Sequence, residues 1–184
     1  MRTGTSNKIV SLEEYIQHEL KAEIRSEFIN GQLFEIPGEK DINNEIAGSL
    51  YILFSSLLRA LGYYVYNHHV KVKIYGENKY YYPDVFITKE AKTENNKYIK
   101  SEPVLIVEVV SETTQVNDYV DKYIDYTKIP SLQYYLIIEP ETVLITCYRR
   151  GENGEWITSK YTKIEDEVTL DALNISFRLN QVYL

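Results

Sequence analysis

The 184-residue chain has one cysteine, one tryptophan and three histidines. A lone thiol, Cys147, cannot close an internal disulfide, and in a strand-like run it reads as a small buried hydrophobe. No apolar run approaches the ~20 residues needed to cross a bilayer. The N-terminal stretch MRTGTSNKIV lacks the apolar segment of a secretory signal. The expectation is a cytoplasmic protein with no membrane partner. Without a signal, the triplet Asn174-Ile175-Ser176 reads as a chance glycosylation match. There is no Gly/Ser/Pro-rich linker and no internal repeat, and the length suits one domain over 1–184. A formal charge of −7 argues against a protein that simply coats nucleic acid.

Charge is unevenly spread. Acids dominate between 11 and 45. Between 71 and 100 lysine leads, at 71, 73, 79, 89, 92, 97 and 100. That second segment reads either as a phosphate-binding surface or as a solvated strand pair and loop.

Ser11 and Glu14 form a capping-box pattern ahead of Leu12, Tyr15, Ile16 and Leu20, which predicts a helix from about 12 to 23. SEFINGQLFEI predicts a hairpin around Asn30-Gly31, the residues a type I′ turn favours. The run DINNEIAGSLYILFSSLLRALG predicts a long helix, capped by Asp41 and ended by Gly62. YYVYNHHVKVKIYG reads as two strands or one bent strand, and PDVFIT as another. PVLIVEVVS reads as a central strand covered on both faces. TTQVNDYVDKYIDYTK returns to helical period, with Thr113 or Thr114 as cap and Pro130 as stop. QYYLIIE, TVLITCYRR, EWITSKYT and NISFRL predict further strands, the last three as a C-terminal meander that Trp156 closes at one end. The order implies an α/β (α+β) domain with a mixed β-sheet flanked by helices.

Two carboxylates stand out. Asp84 heads the apolar run VFI, and Glu108 interrupts VLIV-VV. Buried carboxylates are paired or hold a metal. Two adjacent strands could bring both onto one divalent cation. Hard oxygen donors favour magnesium or manganese over zinc, which prefers histidine and cysteine. The alternative is that each carboxylate pairs with a lysine or arginine. On the following helix Asp118 and Lys122 sit at i, i+4, with Tyr126 one turn on. They read either as a surface ion pair or as a device that aims Lys122 at the Glu108 strand. His68 and His69, adjacent in a strand-like run, point to opposite faces and do not readily share a metal; one could approach phosphate, but a partly exposed structural role is the favoured reading. His18 has no companion on its helix. Tyr80, Tyr81 and Tyr82 read as strand packing rather than as platforms for bases.

YYPDVFI, VLIVEVVSETT, DYVDKYIDY and IPSLQYYLII, in this order and spacing, resemble a large bacterial family of restriction-endonuclease-like proteins in the PD-(D/E)XK nuclease superfamily. The resemblance runs from roughly 12 to 150 and includes Glu27 in EFINGQLFEI. It implies a nuclease core at about 25–150 with C-terminal strands over 141–184. It also implies a metal-dependent endonuclease that hydrolyses phosphodiester bonds, with DNA as substrate, and a homodimer would suit cleavage of both strands. The alternative is a non-catalytic nucleic-acid-binding or interaction protein that keeps the fold.

By this resemblance Asp84 and Glu108 hold Mg2+ (or Mn2+) with the carbonyl of Val109, and Lys122 orients the attacking water or stabilises charge on phosphorus. Glu27 serves as a further ligand or base, with Asp118 and Tyr126 in support. Ser111 and Thr113 cap the helix rather than act as nucleophiles. The superfamily lysine, two residues after Glu108, is Val110 here, and Lys122 takes its place from the helix. Where the family often has a histidine at the start of the long helix, this chain has Asn43. On this reading Lys122→Ala abolishes cleavage and leaves the fold largely intact.

Overall fold

A computed structural model describes residues 9–36, 38, 40–94, 97–110 and 116–183, the last stretch with side chains from 120 onward. The expected caps Ser111, Thr113 and Thr114, and the side chain of Asp118, lie outside the described residues.

Helix α1 (Leu12–Glu19) opens with the capping box. The Ser11 hydroxyl accepts from the Glu14 N–H at 3.2 Å, and Glu14 returns a bond to the Ser11 N–H at 2.7 Å. The helix ends four residues earlier than its periodicity suggests, because Glu19 is used elsewhere. Its carboxylate accepts from the Ser26 N–H at 3.0 Å and from the Tyr82 hydroxyl at 2.6 Å, which turns the chain into β1 (Ser26–Ile29). Strands β1 and β2 (Gln32–Glu35) form the expected hairpin, with Asn30 at φ +52° and Gly31 at φ +89°. Helix α2 spans Asp41–Leu58 and runs through a 3-10 turn, Arg59–Leu61, to Gly62 at φ +81°. Lys40, not Asp41, holds the cap position. The Asp41 carboxylate instead accepts from the next N–H, that of Ile42, at 2.8 Å.

The remaining strands build two mixed sheets. One contains six strands in the order β11-β10-β9-β8-β6-β3: β3 Tyr64–Asn67, β6 Val85–Thr88, β8 Pro103–Val109, β9 Tyr134–Glu139, β10 Leu144–Arg150 and β11 Trp156–Tyr161. Within this sheet only β8 and β9 are parallel, and α3, Val116–Tyr126, makes the crossover that a parallel pair needs. The second sheet has the order β2-β1-β5-β4-β7, with β4 Lys71–Lys73, β5 Lys79–Tyr81 and β7 Ile99–Lys100.

The run YYVYNHHVKVKIYG is therefore cut between sheets. His68 and His69 are not in a strand. His68 takes φ +37°, and the chain leaves the large sheet there to enter the small one. The C-terminal meander also needs correcting. Strands β10 and β11 extend the large sheet, but Ile175–Arg178 (β13) pairs with Glu167–Leu170 (β12) in a separate two-stranded sheet. Trp156, the first residue of β11, lies under the Arg150 guanidinium at 4.6 Å.

Alternation assigns faces. In β8, Leu105, Val107 and Val109 enter a core with Ile46, Leu50, Phe54 and Leu58 of α2, and Val168 and Phe177 close its far side. Ile106 faces the other way, with Phe86, Tyr126, Ile129 and Tyr135. Glu108 shares the parity of Ile106, and Asp84 that of Phe86, so both carboxylates belong to the α3 side of the large sheet. Val85 is opposite Val107, which sets Asp84 beside Glu108 at the end of the β6–β8 pair.

Candidate active site

Glu108, 6% exposed, is held by α3. Both of its oxygens accept from the Lys122 ammonium at 3.0 Å, and Oε1 also accepts from the Tyr126 hydroxyl at 2.7 Å. The i, i+4 spacing of Lys122 and Tyr126 puts both on one face of the helix. That face is fixed by a second network one residue away. Asp125 accepts from Lys79 at 2.8 and 2.9 Å, from the Tyr81 hydroxyl at 2.6 Å and from Lys128 at 3.0 Å. The helix is thereby pinned to the small sheet. Lys122 also lies 3.3 Å from Glu27 Oε1 on β1, so large sheet, small sheet and helix meet at one ammonium. The Lys122 side chain is 13% exposed and turned toward Glu108 and Glu27.

Asp84 has a different set of partners. Its Oδ2 accepts from the Val109 N–H at 2.6 Å, and its Oδ1 lies 3.4 Å from His68 Nδ1. In the sequence His68 reads as a partly exposed structural residue. It was visible only as one of two adjacent histidines in an apparent strand, and its link to Asp84 depends on a kink that residue type does not announce. The backbone of that kink is tied on both sides: the Arg25 guanidinium donates to the His68 carbonyl, and the His69 N–H to the Asn67 carbonyl.

Electrostatics follow burial. Desolvation pushes the Glu108 carboxyl up from the usual range. The Lys122 charge pulls it back, Glu27 raises it further, and hydrogen bonds from Tyr126 and Lys122 oppose the rise. Tyr126 is pushed far above an ordinary phenol by burial and by the Glu108 charge, so it stays a neutral donor. Three buried carboxylates, Glu27, Asp84 and Glu108, lie in this region, and the partly exposed Lys122 ammonium contacts two of them, Glu27 and Glu108.

An open cleft of about 690 Å3 lies against this region. Residues 23–25, the end of β2, the first turn of α2, Tyr82, His68, His69 and Asp84 line it. Glu27, Glu108 and Lys122 are not among the residues that line it. Register sets Asp84 beside Glu108, which Lys122 binds, and of these three residues Asp84 lines this cleft. Among the described residues, no three His, Cys, Asp or Glu side chains stand close enough together to hold an ion unaided. The donor chemistry suits a hard divalent cation that keeps several waters, rather than a closed protein cage.

Other expected positions resolve simply. Tyr80, Tyr81 and Tyr82 are buried and pack the strands. Lys71 and Lys100 are buried as well, and Lys79 is bound to Asp125, so the lysine-rich segment does not form one continuous basic surface. Asn43 is buried at the start of α2, with its Oδ1 lacking a hydrogen-bond partner. No helix among the described residues is long and apolar enough to cross a membrane.

Comparison with known proteins places this arrangement. Two curated proteins of Synechocystis sp., both uncharacterized, are similar along nearly the whole chain. The protein slr1290 is 28% identical over 174 residues, covering 95% of this chain and 91% of its own. The protein sll1609 is 27% identical over 177 residues, covering 95% and 100%. A crystal structure from Anabaena variabilis, described as "a putative nuclease belonging to DUF820", superposes with a TM-score of 0.77 at 15% identity, over 95% of this chain and 97% of that one. It shares the fold. The profile of the Uma2 family, "Putative restriction endonuclease", matches residues 12–181, and the chain belongs to that family.

Proposed function

We propose that the protein is a divalent-cation-dependent endonuclease that hydrolyses phosphodiester bonds in DNA. One observation carries the reading: Lys122, 14 residues beyond Glu108, returns from α3 to bind both Glu108 oxygens beside Asp84. This puts a lysine at the strand end although position 110 is valine. Asp84, Glu108 and the Val109 carbonyl would hold the ion, Mg2+ or Mn2+, with Glu27 as a further carboxylate. Such an ion polarises a phosphate and acidifies a bound water.

The side chains contribute the rest. Tyr126 fixes the Glu108 carboxylate and leaves the ammonium to compensate it. The Lys122 contact to Glu27, 3.3 Å, is longer than those to Glu108 and is the one a phosphate oxygen would displace, with Lys122 then stabilising charge that develops on that oxygen. Glu27, once released, is placed to accept a proton from water. The competing reading is a non-catalytic nucleic-acid-binding or interaction protein, and it draws on a cleft lining that includes Asp84 but not Glu108 or Lys122. Cleavage assays with Mg2+ or Mn2+ on duplex, single-stranded and RNA substrates, with Asp84→Asn as control, separate the two. The nuclease reading expects Asp84-dependent cleavage of DNA. Binding without turnover on every substrate would favour its competitor.

A further inference from the structure

Strand β3 is an edge of the large sheet. Tyr66 is opposite Phe86 in register, so Tyr64 and Tyr66 belong to the α3 side, the face that carries Asp84 and Glu108. Most tyrosines of this face are buried, but Tyr64 and Tyr66 are only half-buried. Their ring centroids are 6.4 Å apart and their planes within 25° of parallel. The Lys92 ammonium lies over both rings, 5.2 Å from Tyr64 and 5.9 Å from Tyr66. Tyr66 rests in turn on Phe86, 5.2 Å away, which anchors the pair to the sheet. The segment that carries Lys92 is held in place by Glu90. Its carboxylate accepts from the Ser101 and Glu102 N–H groups at 2.7 and 3.1 Å, and its own N–H donates to the Thr88 hydroxyl at 2.9 Å. Glu90 is thus turned to the backbone, and the exposed Lys89 and Lys92 meet rings rather than carboxylates.

We infer that Tyr64, Tyr66 and Lys92 form a stacking platform for unpaired nucleotides, so that the substrate of the proposed nuclease is DNA with a single-stranded segment next to the scissile bond. This rests on the nuclease reading and names its substrate class. Two partners are needed for a strand without base pairs: an aromatic face for the base and a cation for the phosphate. Both are present here. An ammonium held only by exposed rings is weakly held, and a phosphate oxygen offers it a stronger, charge-assisted bond. When Lys92 swings to that phosphate, the ring faces it covered are open to a base. Bases in a duplex already have their faces stacked inside the helix and gain nothing from the platform. Its location fits. Strand β3 leads from Tyr64 to Asn67, and the next residue, His68, lines the cleft with Asp84. At about 3.3 Å per strand residue, Tyr66 and Tyr64 stand about 7 and 13 Å before His68, the length of roughly two to four stacked bases. Stacking also does not depend on charge. A chain of net −7 with an acidic site can hold an unpaired strand by its bases where electrostatics give little.

The test measures binding by the full chain carrying Asp84→Asn, which blocks turnover, using fluorescence anisotropy. The probes are labelled oligo(dT) of about 12 nucleotides, the same strand without bases, a duplex of equal length, and oligo(U). Tyr64→Ala removes the outer ring, Tyr64→Phe keeps the ring and drops the hydroxyl, and Lys92→Gln removes the charge. Melting temperatures check that each variant folds. Oligo(dT) should bind more tightly than the duplex or the strand without bases. Tyr64→Ala should weaken oligo(dT) about tenfold and leave the strand without bases unchanged, while Tyr64→Phe binds like its parent. Lys92→Gln should weaken both strands alike, because it acts on phosphate. Oligo(dT) binding that is indifferent to Tyr64→Ala, or to the loss of the bases, overturns the platform and leaves Lys92 as a guard of the sheet edge. Preference for oligo(U) over oligo(dT) overturns DNA as its ligand. The nuclease reading is judged separately, by cleavage with the wild-type chain. Asp84-dependent cleavage that is equally fast in wild type and Tyr64→Ala overturns the platform alone. Tyr64-dependent binding with no cleavage of any DNA overturns the nuclease reading and leaves a single-strand-binding surface.

Discussion

Lys122 compensates two carboxylates at once, Glu108 through both oxygens and Glu27 at 3.3 Å. Removing an ammonium from a buried cluster leaves like charges facing each other at low dielectric, a loss of about 3–5 kcal/mol. The expectation that Lys122→Ala spares the fold therefore gives way. The variant should lose both cleavage and stability of that order at neutral pH. A double variant, Lys122→Met with Glu27→Gln, should recover much of the melting temperature because one of the stranded charges is gone. It should not recover cleavage. If cleavage returned with stability, Lys122 would be a structural cation and no part of the chemistry. Cys147 offers a simpler check. Burial pushes its thiol up to about 11, with only partial relief from Arg149. A thiol reagent at pH 8 should leave the native protein unmodified and react once it is unfolded. The roles of single residues were legible wherever a carboxylate broke an apolar run, as at Asp84 and Glu108. They were not legible where a long side chain reaches across elements: nothing in EFINGQ says that Glu27 ends beside Lys122.

Short elements here are held by a few specific contacts. The β1–β2 turn needs Gly31 at φ +89°, and an added Cβ would also come within 2.6 Å of Ile9 Cγ2. Gly31→Ala should cost about 1–2 kcal/mol in chemical denaturation, and Asn30→Gly much less, because only the first change forces a side chain into a left-handed backbone. Helix α3 depends on Asp125. Burial opposes its charge, but hydrogen bonds from Lys79, Tyr81 and Lys128 outweigh that, and its carboxyl lies below the usual range. A lowered folded-state pKa gives stability that is fully present above the unfolded value, ~3.9, and is lost as pH falls through the folded one. Asp125→Asn should thus destabilise by about 2–4 kcal/mol at pH 7, and the difference from wild type should shrink below about pH 3. A difference independent of pH would mean that shape, not charge, holds the helix. The capping box, the Asn30-Gly31 hairpin and the long helix were legible because their signals are local. The kink at His68 was not: VYN and VKV alternate like one strand, and only pairing with different partners separates them.

The two faces of the large sheet divide the molecule's labour. The α2 side is an aliphatic core that Phe177 and Val168 seal from the C-terminal sheet. The α3 side is rich in tyrosine and carries Asp84 and Glu108, and Glu27 approaches Lys122 from the small sheet. The neighbouring Asp84 and Glu108 strands were foreseeable from their buried composition, whereas the second sheet was not, because its strands are short and their partners distant in sequence. Charge at this scale yields a last expectation. The chain carries −7, and many of its lysines are engaged internally. Lys71 lies between the rings of Tyr15 and Tyr82, Lys100 donates to the Ala91 carbonyl, and Lys79 and Lys122 are bound to carboxylates. Lys89 and Lys92 lie over Tyr63 and Tyr64. Of the seven lysines between 71 and 100, five are held in this way, and the site itself is acidic. Without divalent ions, DNA binding by the Asp84→Asn variant should therefore be weak. A plot of log affinity against log salt should have a slope of about −3 or shallower, equivalent to roughly three phosphates. Adding Mn2+ to wild type in a non-cleavable DNA complex should tighten binding more than it does for Asp84→Asn, because the ion supplies positive charge that the surface lacks. Fluorescence anisotropy over a salt series measures both. A slope near −6 for the metal-free variant would require a continuous basic face, and would move the substrate-binding surface away from the cleft at Asp84.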